Sequence, residues 1–269
     1  MESLSILCRG PVLLQFNVSQ RINMPGWFVL VLTLVMSANE IVSAKEIPDY
    51  LHVCHRSDPQ LSVCITRSVE SLRDRLIAGL PELGVPSIEP LVMEEPISTQ
   101  GAGLVVTTKD LVAYGGGNFS IKNLLVDMNN LKFKFQLGFP HLAIEGKYSV
   151  DGKIIMIPIK GDGDVKCDVS RVDGFVELTG NVEQIDGMSQ MRFTDMKIDV
   201  TVQDGKIHLS NLFGGDKLIG EVVNAAINLN FQYFVKELKP IIQDTLSTFI
   251  LKSANKICDG LNYDELAPL

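Results

Sequence analysis

The chain has 269 residues, of which 46% are hydrophobic and 21% are charged, and its formal net charge is -8. A chain of this length and hydrophobicity can bury one large core or two small ones. The negative charge repels phosphate backbones and anionic membrane surfaces on average, and no basic run is interleaved with aromatic residues, so nucleic acid is excluded as an expected partner.

The N-terminal region is typical of a secretory signal peptide. Residues 27–36 form an apolar block, WFVLVLTLVM, which has the length of a signal-peptide core and is too short to span a bilayer. Val42-Ser43-Ala44 then supplies a cleavage site, and Met24 provides a start just before the block. We therefore expect a leader and signal peptide over residues 1–44, with cleavage after Ala44, and a secreted single domain over residues 45–269. A buried helix or a membrane anchor is the alternative interpretation of the apolar block.

Four of the five cysteines follow the predicted cleavage site: Cys54, Cys64, Cys167 and Cys258. Since a secretory compartment is oxidising and Cys54 is close to Cys64 along the chain, we predict a disulfide between these two. Zinc binding is the alternative, and it is weaker because the histidines beside Cys54 have no second ligand cluster at the usual spacing. Cys167 alternates with valines and is expected to face the interior. The pattern leaves open whether Cys258 is free or bonded to Cys167.

The first predicted helix runs from Pro59 to about Leu80, and strands are predicted from there to about residue 210. Leu131 to Leu137 and Met196 to Val202 alternate apolar and polar residues, as a half-buried strand does. Because no helix separates these strands, they predict an antiparallel meander and no parallel sheet. Turn signals occur at Gly115–Gly117, Phe139–Pro140, Val150–Lys153, Gly161–Gly163, Asp173–Gly174, Asp186–Gly187 and Gln203–Gly205. Val150–Lys153 is a strong hairpin signal.

The C-terminal run from Lys217 to Ile257 carries apolar residues at helical spacing and predicts one long helix. Such a helix would span roughly 60 Å at 1.5 Å per residue, and Pro240 is expected to kink it. Its apolar side needs a cover, which the preceding strands can provide by wrapping around it. A helix inside a curved sheet can enclose an elongated apolar interior, and such an interior suits lipid carriage better than catalysis.

Several short segments, taken in order, resemble the takeout and haemolymph juvenile-hormone-binding protein family of insects. They are the Cys54 and Cys64 pair before a helix, Pro81–Pro86, Ile88–Leu91, Gly138–Pro140, Gly146–Tyr148, Gly152–Gly163, Leu209–Leu218, Asn224–Phe231, Phe234–Pro240 and Tyr263–Pro268. The resemblance implies an α+β fold in which a long C-terminal helix is wrapped by a strongly curved antiparallel sheet, a super-roll. It also implies a shorter N-terminal helix, an enclosed apolar tunnel, and binding of juvenile hormone, a terpenoid or a fatty-acid-like compound without chemical conversion.

No catalytic or metal site emerges from the motifs. The chain has four histidines and no Gly-x-Ser-x-Gly elbow, so the commonest signature of a secreted esterase is absent. His208 alternates with apolar neighbours and is expected to point outward from a strand. Asp162-Gly-Asp164 fails the calcium-loop spacing after its second aspartate. We therefore expect no catalytic residue, no metal and no cofactor.

Asn118-Phe-Ser120 is a glycosylation sequon in a predicted turn, which makes Asn118 a candidate for modification in a secreted chain.

The predicted ligand contacts are apolar and aromatic residues of the first helix, the strands and the C-terminal helix. They are Val69, Leu72, Leu76, Phe133, Phe135, Leu137, Tyr148, Ile155, Ile157, Phe175, Phe231, Phe234, Ile242 and Phe249. The Tyr148 hydroxyl and the Asn230 amide are the candidates to orient an ester or epoxide. Burial of about 400 Å² of ligand at ~25 cal/mol per Å² supplies on the order of 10 kcal/mol before association costs, so no charged anchor is needed.

These observations predict a monomeric secreted carrier of a small lipophilic ligand, without a nucleic acid partner and without stable membrane insertion. An extracellular interaction protein of the same fold without cargo is the alternative, and a secreted esterase is a weaker one.

Overall fold

The computed structural model describes residues 45–93, 95–101, 103–154 and 157–269, and the expected leader and signal peptide lie outside this part of the chain. The helices are α1 (Leu61–Ser71), α2 (Arg73–Ala78), α3 (Lys217–Leu229), α4 (Phe231–Cys258) and α5 (Tyr263–Leu266). The strands are β1 (Leu91–Met93), β2 (Ile97–Gly101), β3 (Leu104–Tyr114), β4 (Ser120–Asp127), β5 (Lys132–Ile154), β6 (Ile157–Ile185) and β7 (Met188–Leu209). The fold is therefore α+β. Helices α1 and α2 precede the strands in the chain, and α3, α4 and α5 follow them.

The seven strands form one antiparallel sheet in the order β1-β3-β5-β6-β7, with β2 paired to β3 and β4 paired to β5. Strands β5, β6 and β7 are long, at 23, 29 and 22 residues, and they follow one another as a meander. The antiparallel arrangement expected from the alternating segments is confirmed.

Two of the predicted turns connect strands, and the other five lie inside strands. Gly115–Gly117 lies between β3 and β4, and Asp186–Gly187 closes the β6–β7 hairpin with positive φ angles of 51° and 80°. The predicted hairpin at Val150–Lys153 is wrong, because these residues belong to β5 and pairing with β6 continues to Ile154 opposite Ile157. The other four turn predictions that are wrong are Phe139–Pro140, Gly161–Gly163, Asp173–Gly174 and Gln203–Gly205.

Some glycines of these segments serve close packing instead of chain reversal. A Cβ atom at Gly163 would lie 2.6 Å from the Ser210 carbonyl oxygen, and one at Gly205 would lie 2.5 Å from the Phe231 ring. Glycine inside a strand commonly marks such a close approach. These glycines therefore let the C-terminal segments pack directly on the sheet.

Irregularities in pairing curve the sheet. The register shifts between Lys109 and Val112 in β3 and between Lys122 and Leu125 in β4. Asp110 and Asn123, inside these two shifts, have positive φ angles of 51° and 54°. Bulges of this kind bend a strand and increase its local twist. The sheet therefore curves around the C-terminal helices.

The predicted long helix is two helices, separated at Asn230. This residue has φ -114° and ψ 31°, outside the helical range, and its side-chain amide donates to the Ala226 carbonyl at 2.9 Å. Asparagine side chains compete in this way with the regular hydrogen bonds of a helix. Pro240, where a kink was expected, lies inside the continuous helix α4. Since α4 has 28 residues, it spans about 42 Å.

Amide side chains of α3 and α4 bind the free edge of β7. Asn224 and Asn228 each accept from a β7 backbone N–H and donate to the carbonyl of the same residue, Leu209 and Ile207 respectively, at 2.8–2.9 Å. Three more side chains, all of α4, continue this pattern along β7. Gln232 donates to the carbonyls of Val202 and Gln203, and Gln243 donates to the carbonyl of Ile198. Asn255 binds the backbone of Phe193 through both polar atoms of its amide. The side chains satisfy an edge that would otherwise be open to another strand.

The N-terminal part is fixed by the disulfide between Cys54 and Cys64, whose Cα atoms are 6.0 Å apart, and this confirms the predicted pairing. Cys167 and Cys258 are free thiols, which resolves the question that the sequence left open. Burial raises the pKa of Cys167 to about 11 and that of Cys258 to about 12, so both thiols stay protonated at neutral pH.

Candidate functional site

A cavity of about 250 Å³ lies between the inner face of the sheet and the middle of α4. Strands β1, β2, β3 and β5 form one wall, and α4 forms the other. All the lining side chains are apolar except two threonines. They are Leu91, Met93, Ile97, Val106, Thr108, Leu111, Ala113, Ile144, Leu238, Ile241, Ile242, Thr245 and Leu246. The space is therefore suited to an apolar guest.

The bulge in β3 explains how this strand supplies so much of the wall. Before the bulge, even-numbered residues such as Val106 and Thr108 face inward, and after it odd-numbered residues such as Leu111 and Ala113 do. The inserted residue reverses the facing of every side chain that follows. The cavity wall consequently continues along the whole strand, with Ala113 opposite Ile144 of β5.

The α4 side chains that line the cavity are only partly buried. The residues of α4 that are buried are Phe231, Phe234 and Cys258, which lie near its two ends. Between them, Leu238, Ile242 and Leu246 are only half-buried, although they face the sheet. Apolar side chains that line an interior yet remain accessible indicate space between helix and sheet.

Two core clusters border the cavity. One surrounds Tyr148, Ile227 and Phe234, and the cavity residues Val106 and Leu238 pack against it. The other surrounds Val176 with Phe193, Phe231 and Cys258, and the cavity residue Leu246 packs against it. The cavity wall is therefore continuous with both parts of the core.

Of the two threonines in the cavity wall, Thr108 has a buried hydroxyl group without a hydrogen-bond partner among the residues that the structure describes. Buried hydroxyl groups nearly always have a partner, and leaving one without costs about 1–3 kcal/mol. The Thr108 hydroxyl is therefore a polar group at the cavity wall that the described part of the protein leaves unsatisfied.

The sequence-predicted lining residues are distributed over several regions. Ile242 lines the cavity. Phe133, Phe135, Leu137 and Phe231 belong to the second core cluster, Tyr148 and Phe234 to the first, and Leu76 to a third cluster near the N-terminal helices. Val69 and Phe249 are half-buried and Leu72 is buried, and none of the three lines the cavity. Ile155 and the side chain of Ile157 lie outside the described part of the chain.

Phe175 does not line the cavity. It is 53% exposed and, like Phe135, borders a surface hollow of about 520 Å³, which Leu125, Lys134 and Glu177 also line. In β6 the inward positions next to it are taken by Gly174 and Val176, which are both buried. Since strand side chains alternate between faces, Phe175 points to the outer face, contrary to the expectation that it faces the interior.

Tyr148 already has a hydrogen-bond partner within the protein. Its hydroxyl donates to the Ser210 carbonyl at 2.7 Å, and burial raises its pKa to about 12. The Asn230 amide, the other candidate for orienting a ligand, is exposed and bonded to Ala226. Both groups are therefore hydrogen-bonded within the protein. The Thr108 hydroxyl, in contrast, has no such partner among the residues that the structure describes.

The described residues contain one group of potential metal ligands, His52, Cys54 and Cys64. Its two sulfur atoms are joined in the disulfide, so they do not act as thiolate ligands. His208 is exposed on β7, as expected. His141 pairs with Asp168 at 2.7 Å on the outer surface, away from the cavity wall.

Sequence patterns missed the wall that β1, β2 and β3 contribute. Leu91 and Met93 follow a proline-rich exit from the first helix, and the β3 alternation is interrupted at Lys109–Asp110. On the helix, the spacing of Leu238, Ile242 and Leu246 was a usable signal for one side of the cavity. Their four-residue spacing repeats about once per helical turn.

Comparisons with known proteins agree with this architecture. The crystal structure of Takeout 1 from Epiphyas postvittana aligns with a TM-score of 0.69 at 22% sequence identity, over 81% of this chain and 100% of that one. The Drosophila melanogaster protein "Circadian clock-controlled protein daywake" is 25% identical over 83% of this chain and 90% of its own length. A Schistocerca gregaria protein named "Putative beta-carotene-binding protein" is 23% identical over 79% of this chain and 86% of its own.

The family model described as haemolymph juvenile hormone binding protein matches residues 29–268, which is most of the chain. With the curved antiparallel sheet, the C-terminal helix against it and the apolar cavity between them, the chain belongs to the haemolymph juvenile hormone binding protein family.

Proposed function

We propose that this protein is a secreted carrier that holds a small lipophilic ligand between α4 and the sheet without converting it chemically. The observation that supports this most directly is the cavity, whose thirteen lining side chains include eleven that are apolar. Removal of apolar surface from water drives the binding of such a ligand. Family membership and the name of the Schistocerca gregaria relative support the same class of ligand.

The ligand that we propose is elongated. The cavity of about 250 Å³ is close to the lower end of the ~300–1,000 Å³ that small-molecule sites usually have. Beyond it, α4 carries the half-buried Phe249, which packs against none of the three core clusters of the described residues. We infer a tunnel that extends along α4 in this direction and accommodates a chain-like or terpenoid molecule.

The same ligand carries one polar oxygen. Thr108 presents the unpartnered hydroxyl of the cavity wall, and the cavity has no charged side chain among its lining residues. An alcohol, ester, ketone or epoxide oxygen satisfies this hydroxyl, whereas a carboxylate would be left without a counter-charge. We therefore propose a neutral, oxygen-bearing lipid as the cargo.

Secretion is the second part of the proposal. It rests on the apolar block and cleavage site in residues 1–44, on the Cys54–Cys64 disulfide and on the exposed sequon at Asn118. Among the residues that the structure describes, no helix is both long and apolar enough to cross a bilayer.

The test is to express the full chain in insect cells, purify the protein from the medium and determine its N-terminal sequence. Native mass spectrometry then reports any lipid that co-purifies, and titration with N-phenyl-1-naphthylamine reports binding in an apolar site. We expect a start at Lys45 and saturable binding at one molecule per chain. A folded protein that takes up neither lipid nor dye contradicts the proposal that it is a carrier. Steady hydrolysis of an ester ligand contradicts the proposal that the ligand is not converted chemically.

A further inference from the structure

Helix α3 carries apolar side chains on the protein surface as well as in the core. Leu218, Val222 and Leu229 are 78%, 68% and 85% exposed, and Tyr233 at the start of α4 is 62% exposed. Ala225, between them, is also exposed. On a helix of 3.6 residues per turn, the four α3 side chains fall within an arc of about 60°, so they form one line. We call these five residues the α3 stripe.

Contacts on the opposite, inner face of α3 keep the α3 stripe pointing toward solvent. Val223 and Ile227 are buried in the first core cluster. Asn224 and Asn228 are bonded to the edge of β7, at Leu209 and Ile207. Because this face is fixed by both packing and hydrogen bonds, α3 cannot rotate to hide the stripe. An apolar surface of this extent usually marks an interaction site.

The part of the stripe that lies within α3 is symmetric about its middle. Counted from the midpoint between Ala225 and Ala226, Val222 and Leu229 are equidistant along this helix. A two-fold axis at this midpoint places Val222 of each copy against Leu229 of the other. It also places the alanines together, where small side chains let two helices approach closely. The surface is therefore complementary to itself.

The charged residues at the two ends of the α3 stripe are mixed in sign. Asp216 and Lys217 lie just before the stripe and Lys236 lies just after it, and all three are exposed. The pairing of two copies therefore depends on the apolar side chains between them. We propose that the α3 stripe is the interface of a two-fold symmetric homodimer in which α3 packs antiparallel to α3 of the second copy. This differs from the monomer expected from the sequence.

The size of the α3 stripe determines how stable the dimer is. Two copies bury on the order of 1,000 Å² in total, which is near the lower limit for a specific interface. The dimer is consequently reversible and depends on concentration. A lipid surface is a poorer match, because the chain carries a net charge of -8 and anionic membrane surfaces repel it.

Sedimentation equilibrium tests the proposal on the protein that insect cells secrete when they express the full chain. The protein concentration is varied a hundredfold. We expect the mass to rise from one chain to two, and Leu229→Asp to remain at one chain. Val63→Asp is the control, because Val63 is also an exposed apolar residue, at 45%, but lies on α1. A single-chain mass at every concentration overturns the dimer, as does a Leu229→Asp protein that still dimerises. Monomers that float with phosphatidylcholine vesicles would instead assign the stripe to lipid.

Cysteine substitution tests the antiparallel register. Ala225 is next to the axis, so Ala225→Cys is expected to form a disulfide-linked dimer under mild oxidation. Leu218→Cys is the matched control, since about 22 Å along the helix axis separates it from its counterpart in the second copy. Circular dichroism shows whether each variant is folded, and the wild-type chain reports any reaction of Cys167 or Cys258. Cross-linking through Leu218→Cys but not Ala225→Cys contradicts this arrangement.

Discussion

Asn255 of α4 binds the backbone of Phe193 in β7 through both atoms of its amide. Its Oδ1 accepts from the Phe193 N–H at 2.8 Å, and its Nδ2 donates to the Phe193 carbonyl at 2.9 Å. The side chain thereby takes the place of a residue on a neighbouring strand. With Asn224 and Asn228 at the other end of β7, it fixes the C-terminal helices against this strand.

Replacement of Asn255 by leucine is expected to destabilise the protein by about 2–3 kcal/mol. The substitution keeps the number and branching of the side-chain heavy atoms but leaves the Phe193 N–H and carbonyl without their partners in a half-buried position. Urea unfolding followed by circular dichroism measures the free energy of unfolding. Thr248→Leu, at an exposed position of the same helix, is the control and is expected to change it by less than about 0.5 kcal/mol. Equal stability of Asn255→Leu and the wild type would show that the amide contributes nothing.

Thr108→Val is expected to distinguish oxygen-bearing ligands from hydrocarbons. The variant keeps the shape of the cavity wall and removes the unpartnered hydroxyl. Loss of one hydrogen bond worth about 0.5–1.5 kcal/mol weakens binding of dodecanol roughly threefold to tenfold, while dodecane binds as well as before or better. Competition of each compound against N-phenyl-1-naphthylamine gives the two affinities.

Thr107→Val is the matched control for this measurement. Thr107 adjoins Thr108 in β3, but its hydroxyl lies 3.1 Å from the Ser98 hydroxyl and it does not line the cavity. We expect it to bind both compounds as the wild type does. An equal loss of dodecanol affinity in the two threonine variants would remove Thr108 from the site.

The stability of the protein is expected to fall at alkaline pH, partly through Tyr148. Burial raises the pKa of its hydroxyl from 10.0 to about 12, so the folded state holds this proton more tightly than the unfolded state. The resulting stabilisation is complete below pH 10 and is lost as the pH rises toward 12. Urea unfolding at a series of pH values measures this loss, and Tyr148→Phe should make it shallower.

Tyr114→Phe provides the comparison for the alkaline series, because Tyr114 is 43% exposed. It removes a phenol from the surface, so the comparison separates the loss of a buried tyrosine hydroxyl from the loss of any tyrosine hydroxyl. Tyr148→Phe also loses the hydrogen bond to Ser210, so its stability is lower at neutral pH and only the slope is informative. An identical slope in the wild type and Tyr148→Phe would contradict a buried, protonated Tyr148.

Sequence patterns predicted the parts of this fold that follow one local period. The alternation from Leu131 to Leu137 correctly located β5 and turned Phe133 and Phe135 toward the core. The turn at Asp186–Gly187 was found because a tight hairpin needs positive φ angles that these residue types adopt readily. Such features depend on a few neighbouring residues, so a single sequence contains them.

The cavity wall could not be predicted in the same way, since it depends on pairing between distant segments. The bulge at Asp110 reverses the facing of β3 and brings Ala113 inward opposite Ile144, yet nothing in the local composition requires it. Phe175 shows the opposite case, in which an aromatic residue favoured burial but strand alternation placed it outside. Asn230 ended a helix whose apolar spacing continues across it. In each case tertiary context overrode a correct local preference.

Ala113→Phe is expected to fill the cavity and lower the affinity for N-phenyl-1-naphthylamine at least tenfold. Ala113 is a small residue of the wall that faces Ile144, so a phenyl ring at this position takes up space that the ligand needs. Val105→Phe is the control on the same strand, because Val105 is 46% exposed and does not line the cavity. Both variants add an aromatic ring to β3, and only their facing differs. If the two bind the dye equally well and both are folded, the ligand does not occupy the space between α4 and the sheet.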